Sequence, residues 1–386
     1  MLFFDLLQVA LGNRKSLERI PTEAEWEEMF QHARRQTLMG IAFSGMEQLP
    51  QEQRPSTDFI LKWYTVVSMT EKLNLKKNAL CSALQQNFLK NGLRTCILKG
   101  QGVAQYYEQP LRRQSGDIDI WVEGGWRKVL EYVYAKRPGG GMAYHHVDLG
   151  RVRDVKVEAH FTPSWMYNPF KNKYLQKWFY SQAERQFTNK KEVRETNNDG
   201  NIDTRSSEGE HTDSHIQCVF PTDLFNTVFL LLHMYRHIFD DGLGLRQLLD
   251  YYELLKAQSL SKEETKEATE VIEKLGMTRF ARAVAWLLME VFGMKEEDMF
   301  VTPDEKQGRF LLDEVMQSGN FGYHDERMEV KAHEGKWHKF ARRQKRNLRF
   351  LGNYPSEVLW RPYFILFNLL WRKRAKKYVA GFLPQA

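Results

Sequence analysis

Cysteine is scarce in this chain. Its 386 residues contain three cysteines, Cys81, Cys96 and Cys218. None of them belongs to a C-x-x-C pair or to another spacing that is typical of a disulfide framework or a zinc knuckle. This scarcity argues against a small extracellular domain that depends on disulfides. We therefore expect a reducing, cytoplasmic environment.

Long apolar runs are missing as well. The longest runs, Phe225 to Leu232 and Tyr363 to Trp371, are much shorter than the roughly 20 residues that a membrane-spanning helix needs. Met1 to Gly12 is apolar, but no Lys or Arg precedes its apolar run and no small-residue cleavage site follows it. We therefore expect neither a signal peptide nor a transmembrane segment.

The chain nevertheless has enough apolar surface to build several cores. Hydrophobic residues make up 42% of it and aromatic residues 13%, which excludes global disorder. A chain of this length should fold as more than one unit. The patterns predict a helical region over residues 1–90, an α/β core over 91–223 and a second helical region over 224–386.

Positive charge is concentrated near the end of the chain. Much of the net charge of +7 comes from Lys331 to Lys345 and from Arg372 to Lys377. A basic helix surface is usually a solvated face, and the sequence lacks the aromatic-basic motif of an RNA-recognition sheet. Nucleic acid is therefore not the favoured partner. The apolar residues from Phe364 to Trp371 also permit a basic helix on an anionic membrane, but we favour core packing with a basic outer face.

Short apolar runs indicate the strands of the α/β core. Leu93 to Leu98 is predicted as a strand that leads into the glycine turn Lys99 to Gly102 and then a helix from Val103 to Tyr107. Asp117 to Glu123 alternates between polar and apolar residues, which predicts a strand with Asp117 and Asp119 on one face.

Further elements follow this strand. A helix is predicted over Trp126 to Ala135, and a β-hairpin over Ala143 to Leu149 and Val155 to Phe161. Residues 189–215 are almost free of large apolar side chains, so we interpret them as a mobile surface insertion. Ile216 to Phe220 is predicted as a closing strand.

Three carboxylates in this pattern indicate a metal site. Two aspartates at positions i and i+2 of a strand share a face, and leaving both ionised without a cation is costly. Glu158 on the later strand is the candidate for a third carboxylate, with Asp148 and Asp154 as alternatives. Such oxygen ligands suit Mg²⁺, which usually takes its other ligands from water and substrate phosphates. The alternative is a solvated strand edge without a metal. Because like charges repel, we expect neutralising either aspartate to leave stability unchanged or slightly raised.

The chain resembles a known family over about residues 90 to 255. The resemblance is carried by five segments: Leu98 to Gly100, Arg113 to Val122, Val157 to Phe161, Phe220 to Asp223, and Leu232 to Asp250. They look like the uncharacterised nucleotidyltransferase family of bacteria. That family belongs to the DNA-polymerase-β-like nucleotidyltransferase superfamily and is related to the abortive-infection toxin transferases.

This resemblance implies an α+β fold and an activity. The fold would be a small mixed sheet flanked by helices, with Asp117, Asp119 and Glu158 as the catalytic carboxylates that bind Mg²⁺ or Mn²⁺. The enzyme would move a nucleoside monophosphate from a nucleoside triphosphate to a hydroxyl group and release pyrophosphate. The acceptor would be a small molecule, a sugar or a protein.

The resemblance also implies a nucleotide-binding set. The triphosphate would lie against the turn formed by Lys99, Gly100, Gln101 and Gly102, where the superfamily usually has a Gly-Ser pair. Backbone N–H groups and the Lys99 ammonium would then replace the serine hydroxyl. The remaining members of the set are Arg113, as a phosphate clamp, Ser115 and Gly116.

Several alternatives remain open at this point. The altered glycine turn is compatible with a non-catalytic nucleotide-binding or interaction module, and the same carboxylates are compatible with a metal phosphohydrolase. Lys99 is equally well interpreted as an ordinary strand end, and Arg113 as an ion-pair partner of an aspartate. We interpret His160 as a structural residue that is able to orient Glu158. The pair His233 and His237, at i and i+4, suggests helix packing more than a zinc site.

Overall fold

The structure is a computed structural model that describes residues 1–195, 216–322, 325, 327 and 335–382. It has the predicted α+β fold, with helices at both ends of the chain. The N-terminal helices are α1 (Leu2–Ala10), α2 (Glu23–Gln36), α3 (Met39–Gln48) and α4 (Thr57–Lys90). Helix α2 begins with a capping box, in which Thr22 and Glu25 satisfy each other's backbone N–H groups.

A four-stranded sheet forms the centre of the α/β region. Its strands are β1 (Thr95–Leu98), β2 (Ile118–Val122), β3 (His146–Val152) and β4 (Val155–His160). They lie in the order β1-β2-β4-β3. The pairs β1–β2 and β3–β4 are antiparallel, whereas β2–β4 is parallel. This confirms the small mixed sheet and the predicted hairpin.

Apolar residues on the sheet explain why its strands form here. Ile118, Ile120 and Val122 of β2 are almost fully buried, and so are Val157 and Ala159 of β4. They join one core cluster with residues of α6 (Gly125–Lys136). The alternate residues of β2 and β4 carry the polar side chains, as the period of two requires.

The remaining elements of this region are short. Helix α5 (Gly100–Ala104) follows β1, and helix α7 (Pro169–Thr188) follows the hairpin. The strands β5 (Lys190–Glu192) and β6 (Gln217–Val219) pair antiparallel in a second, two-stranded sheet. The predicted closing strand is thus present, but it does not extend the main sheet.

Part of the segment that was predicted as a mobile insertion pairs as a strand. Residues 190–192 form β5, because backbone hydrogen bonds to β6 order them without any need for large apolar side chains. The rest of the predicted insertion, residues 196–215, lies outside the described residues.

Helices dominate the C-terminal part of the chain. They are α8 (Asp223–Asp240), α9 (Leu245–Ala257), α10 (Lys262–Lys274), α11 (Thr278–Phe292), α12 (Glu305–Ser318), α13 (Lys336–Leu348) and α14 (Pro355–Phe382). In α14, Phe364 is buried but Leu370 is 57% exposed, so only part of the predicted core packing is present. Among the described helices, none is both long and apolar enough to cross a membrane.

The chain divides into two compact units. One contains residues 1–68, 166–174 and 226–364, and the other contains residues 69–165, 175–225 and 365–386. The four-stranded sheet belongs entirely to the second unit. The domain limits at residues 90 and 223 stay predictions.

A buried charged network stabilises the first unit. The hydroxyl group of Tyr167 donates to Asp240 and accepts from Nε of Arg361 at 3.2 Å. Arg236 bonds Asp240 and lies over the Tyr167 ring, with 3.7 Å between its Cζ and the ring centroid. The backbone N–H of Tyr167 donates to Glu357 at 2.7 Å. Each buried charge therefore has an opposite charge or a dipole beside it.

Candidate active site

The register of the sheet brings three sequence-predicted residues together. Leu98 is paired with Asp119, and Asp119 is paired with Glu158 on the neighbouring strand. Lys99 immediately follows Leu98. Paired residues on adjacent strands project to the same face, so Leu98, Asp119 and Glu158 form one row across the sheet. Lys99 lies in the turn that follows β1, and its ammonium group reaches the Asp119 carboxylate of this row.

Asp119 is the central residue of this row. Its Oδ2 lies 2.9 Å from Nζ of Lys99, and its Oδ1 lies 2.8 Å from Nε2 of His160. Asp119 is 4% exposed. Burial alone would raise the pKa of the Asp119 carboxyl, but Lys99 and His160 hold it well below its usual value. The carboxylate is therefore ionised and carries two counter-charges.

The charge of Lys99 is fixed by the same contact. Burial would lower the pKa of its ammonium, but the charges of Asp119 and Asp117 hold that pKa above its usual value. The residue has a φ of 51°, which is uncommon for a side chain other than glycine. This strained backbone turns the chain from β1 into α5.

Glu158 accepts several positive or polar partners. It bonds Nζ of Lys156, and its Oε2 lies 3.5 Å from Nδ1 of His146 and 3.6 Å from Nε2 of His160. Burial raises the pKa of Glu158, but the hydrogen bond from His160 and the charge of His146 bring it down to about 2. This carboxylate is also ionised at neutral pH.

Asp117 occupies a different environment. It lies just before β2 and is half-buried. Burial and the negative charge of Asp119 raise its pKa, and the charge of Lys99 only partly offsets them. Negative charge is therefore incompletely balanced at Asp117.

The candidates for the third carboxylate, Glu158, Asp148 and Asp154, occupy different positions in the β3–β4 hairpin. Asp148 faces Glu158 across the β3–β4 pair. Asp154 is exposed in the turn of the hairpin, with a φ of 66°. Glu158 is thus the hairpin carboxylate that is paired with Asp119.

The glycine turn is packed tightly where it meets the sheet. A Cβ atom on Gly102 would lie 3.0 Å from the carbonyl oxygen of Ile97 and 3.1 Å from the ring of Phe220. Gln101 is buried and donates to Oδ1 of Asn78 at 2.6 Å. Gly100 has a φ of 40°. The turn is therefore held rigidly against the end of β1.

Two residues of α4 position the loop before Asp117, and sequence reasoning missed them. Nζ of Lys77 donates to the carbonyl oxygens of Ser115 and Gly116 at 2.7 and 2.5 Å. The side-chain amide of Asn74 donates to the carbonyl oxygen of Arg113 at 2.8 Å. Both residues look like ordinary polar positions on a long helix, so the sequence carries no signal for this role.

The predicted phosphate clamp is not on an open surface. Arg113 is 4% exposed. Ser115 also contributes its hydroxyl group to the loop contacts, accepting from Lys77 at 2.9 Å and donating to Asn74 at 2.8 Å. In this structure, Arg113, Ser115 and Gly116 therefore belong to a braced loop that precedes Asp117.

The donor atoms fit a divalent cation. In the described part of the chain, Asp119, Glu158 and His160 each place one ligand atom within 4.8 Å of the other two. Carboxylate oxygens with one imidazole nitrogen are ligands that divalent metals accept. Asp117 is not part of this trio, but its unbalanced charge lies beside it.

The comparisons identify the family of the chain. The sequence profile of the family described as uncharacterised nucleotidyltransferase matches residues 22–293. The chain therefore belongs to the uncharacterised nucleotidyltransferase family. The match begins well before the segments that carried the resemblance in the sequence, so it also includes helices α2, α3 and α4.

Solved structures that match this chain include one at low identity. It is the crystal structure of an antigenic nucleotidyltransferase-like protein from Paracoccidioides brasiliensis, with 13% sequence identity and a TM-score of 0.31. The match covers 56% of this chain and 96% of that chain. A comparison with curated proteins gives no match.

Proposed function

We propose that this chain is a metal-dependent nucleotidyltransferase. It would transfer a nucleoside monophosphate from a nucleoside triphosphate to a hydroxyl-bearing small molecule, sugar or protein, and release pyrophosphate. The observation that carries this proposal is the pairing of Asp119 with Glu158 on adjacent parallel strands, next to the Lys99 ammonium. Family membership supports the same class of reaction.

The residues of the row take distinct roles in this proposal. Asp119 and Glu158, with Asp117 beside them, would hold Mg²⁺ or Mn²⁺. The metal ion supplies charge neutralisation at the phosphates and alignment of an in-line attack. The pKa of about 2 keeps Glu158 ionised at neutral pH but makes it a weak base for the proton of the attacking hydroxyl group, so its favoured role is to complete the metal site.

Lys99 has the role of a phosphate-binding cation. Its ammonium is charged and lies at the start of α5, beside the Lys99 to Gly102 turn. A triphosphate bound at the turn would compete with Asp119 for this ammonium. When a nucleotide binds, the Lys99 ammonium would thus move from Asp119 to the phosphates and leave the Asp119 carboxylate with one positive partner fewer.

A specific observation favours one rival function. Both oxygens of Asp119 already have positive partners, Lys99 and His160. A carboxylate balanced in this way needs no metal for its stability. The rival is a nucleotide-binding or interaction module that does not catalyse transfer.

The deciding experiment measures pyrophosphate and inorganic phosphate release from the four common nucleoside triphosphates, with Mg²⁺ or Mn²⁺ and pools of hydroxyl acceptors. We expect metal-dependent pyrophosphate release that is lost in Asp117→Asn. Asp154→Asn is the matched control, because it removes an aspartate carboxylate from the exposed turn of the β3–β4 hairpin, away from the candidate site. Inorganic phosphate as the product would instead indicate a phosphohydrolase, and nucleotide binding without turnover would indicate the rival module.

A further inference from the structure

Three histidines converge at one end of the β3–β4 hairpin. His146 begins β3 and His160 ends β4, and the two residues are paired in the sheet register. His145 precedes His146, and its carbonyl oxygen accepts from the backbone N–H of Phe161 at 3.0 Å. The backbone of the hairpin therefore fixes all three positions.

The three imidazole rings are close enough to share a ligand. The distance between Nε2 of His145 and Nδ1 of His146 is 2.8 Å. The ring centroid of His160 lies 5.1 Å from that of His145 and 5.3 Å from that of His146. One ring nitrogen from each histidine lies within 4.8 Å of the other two.

A carboxylate completes the group. Oε2 of Glu158 lies 3.5 Å from Nδ1 of His146 and 3.6 Å from Nε2 of His160. On the other side, the ring of Trp165 packs on His145, with 4.0 Å between the centroids. Three nitrogen donors and one oxygen donor are thus gathered beside an apolar wall.

A second observation concerns the buried nitrogen of His160. This residue is 2% exposed, and its Nδ1 has no hydrogen-bond partner among the residues that the structure describes. Burying a polar atom without a partner is costly. A metal ion bound through this nitrogen would offset that cost.

We propose that His145, His146, His160 and Glu158 form a binding site for a transition-metal ion such as Zn²⁺ or Co²⁺. Imidazole nitrogen suits these ions, whereas Mg²⁺ prefers oxygen ligands. A set of three histidines and one carboxylate satisfies the four-coordinate preference of Zn²⁺. The site shares Glu158 and His160 with the carboxylate cluster of the proposed transferase centre, and it differs from that cluster by using His145 and His146 in place of Asp117 and Asp119.

The test is a titration of the full-length, metal-free chain with Co²⁺, monitored by visible absorption. We expect one Co²⁺ per chain with the strong absorption bands of four-coordinate cobalt, displacement by Zn²⁺, and no displacement by millimolar Mg²⁺. X-ray absorption of the Zn²⁺ form should show imidazole ligands. These readouts require no nucleotide, so they are independent of whether the chain transfers nucleotides.

Variants locate the ion. His145→Gln and His146→Gln should each weaken Co²⁺ binding at least tenfold, the scale on which metal-site residues act. The matched control is His233→Gln, which disrupts the other close histidine pair, where 3.1 Å separates the two Nε2 atoms. Circular dichroism shows whether each variant is folded. Failure of the wild-type chain to bind Co²⁺, ready displacement by Mg²⁺, or loss of binding in His233→Gln alone would each overturn the proposal.

Discussion

The two aspartates of the D-x-D pattern should respond differently to the same substitution. Asp119 is buried between Lys99 and His160, and its carboxylate accepts from both. Asparagine keeps one acceptor oxygen but removes the negative charge that balances the Lys99 ammonium. Breaking a buried ion pair by removing one partner costs about 3–5 kcal/mol. Because asparagine retains part of the hydrogen bonding, we expect Asp119→Asn to lower the free energy of unfolding by about 3 kcal/mol.

Asp117→Asn is the matched comparison. The pKa of Asp117 is raised by burial and by the charge of Asp119, so its ionised form is disfavoured in the folded chain. Neutralising it should change the free energy of unfolding by less than about 0.5 kcal/mol or raise it slightly. The sequence alone predicts that neither substitution lowers the stability. We keep this prediction for Asp117→Asn and replace it for Asp119→Asn.

Urea unfolding of both variants, followed by circular dichroism, measures the difference. Metal-dependent turnover should fall at least about a hundredfold in both, because each carboxylate helps to neutralise charge in the transition state. Equal unfolding midpoints for the two variants would refute the reasoning, since the counter-charges of Asp119 would then contribute nothing. A destabilised Asp117→Asn with an unchanged Asp119→Asn would refute it equally.

Three further predictions follow from other parts of the structure. Tyr167→Phe should lower the free energy of unfolding by about 1–3 kcal/mol, because Asp240 and Arg361 lose a buried partner. Urea unfolding measures this loss. An unchanged unfolding midpoint would show that the charged network around Tyr167 does not stabilise the fold. Gly102→Ala should lower the free energy of unfolding by about 1–3 kcal/mol through overpacking against Ile97 and Phe220. Gly116→Ala is the control in the same urea unfolding assay, because its Cβ position has open space around it. Mg²⁺ together with a nucleoside triphosphate at a hundred times its Kd should raise the free energy of unfolding by about 2.7 kcal/mol, and EDTA should remove this gain. A nucleotide-induced gain that is the same with and without the metal would contradict the carboxylate site.

The fold was predictable from the sequence where side-chain periodicity is strong. The alternation in Asp117 to Glu123 predicts β2, and the two runs separated by a polar turn predict the hairpin of β3 and β4. The pairing of β6 was not predictable, although its position was, because a strand of three residues carries no pattern that selects its partner. Backbone hydrogen bonds to β5 decide that pairing instead.

The carboxylates of the candidate site were predictable from the sequence, but the residues that balance their negative charge were not. The spacing of Asp117, Asp119 and Glu158 indicated a carboxylate cluster. That Lys99 and His160 neutralise Asp119 depends on the strand register, which a single sequence does not specify residue by residue. The bracing of the Ser115 loop by Lys77 depends on a contact between residues 38 positions apart. Long-range contacts of this kind leave no local pattern.

The row formed by Leu98, Asp119 and Glu158 across the strands ties the accuracy of the site to the folding of the sheet. A slip of β2 by one residue would move Asp119 to the core face and bring Ile118 or Ile120 out of the core. Such a slipped sheet would bury a lone carboxylate and expose large apolar side chains, and both changes are costly. A slipped register is therefore disfavoured relative to the observed one. The apolar contacts that stabilise the sheet thus also place Asp119 beside Glu158.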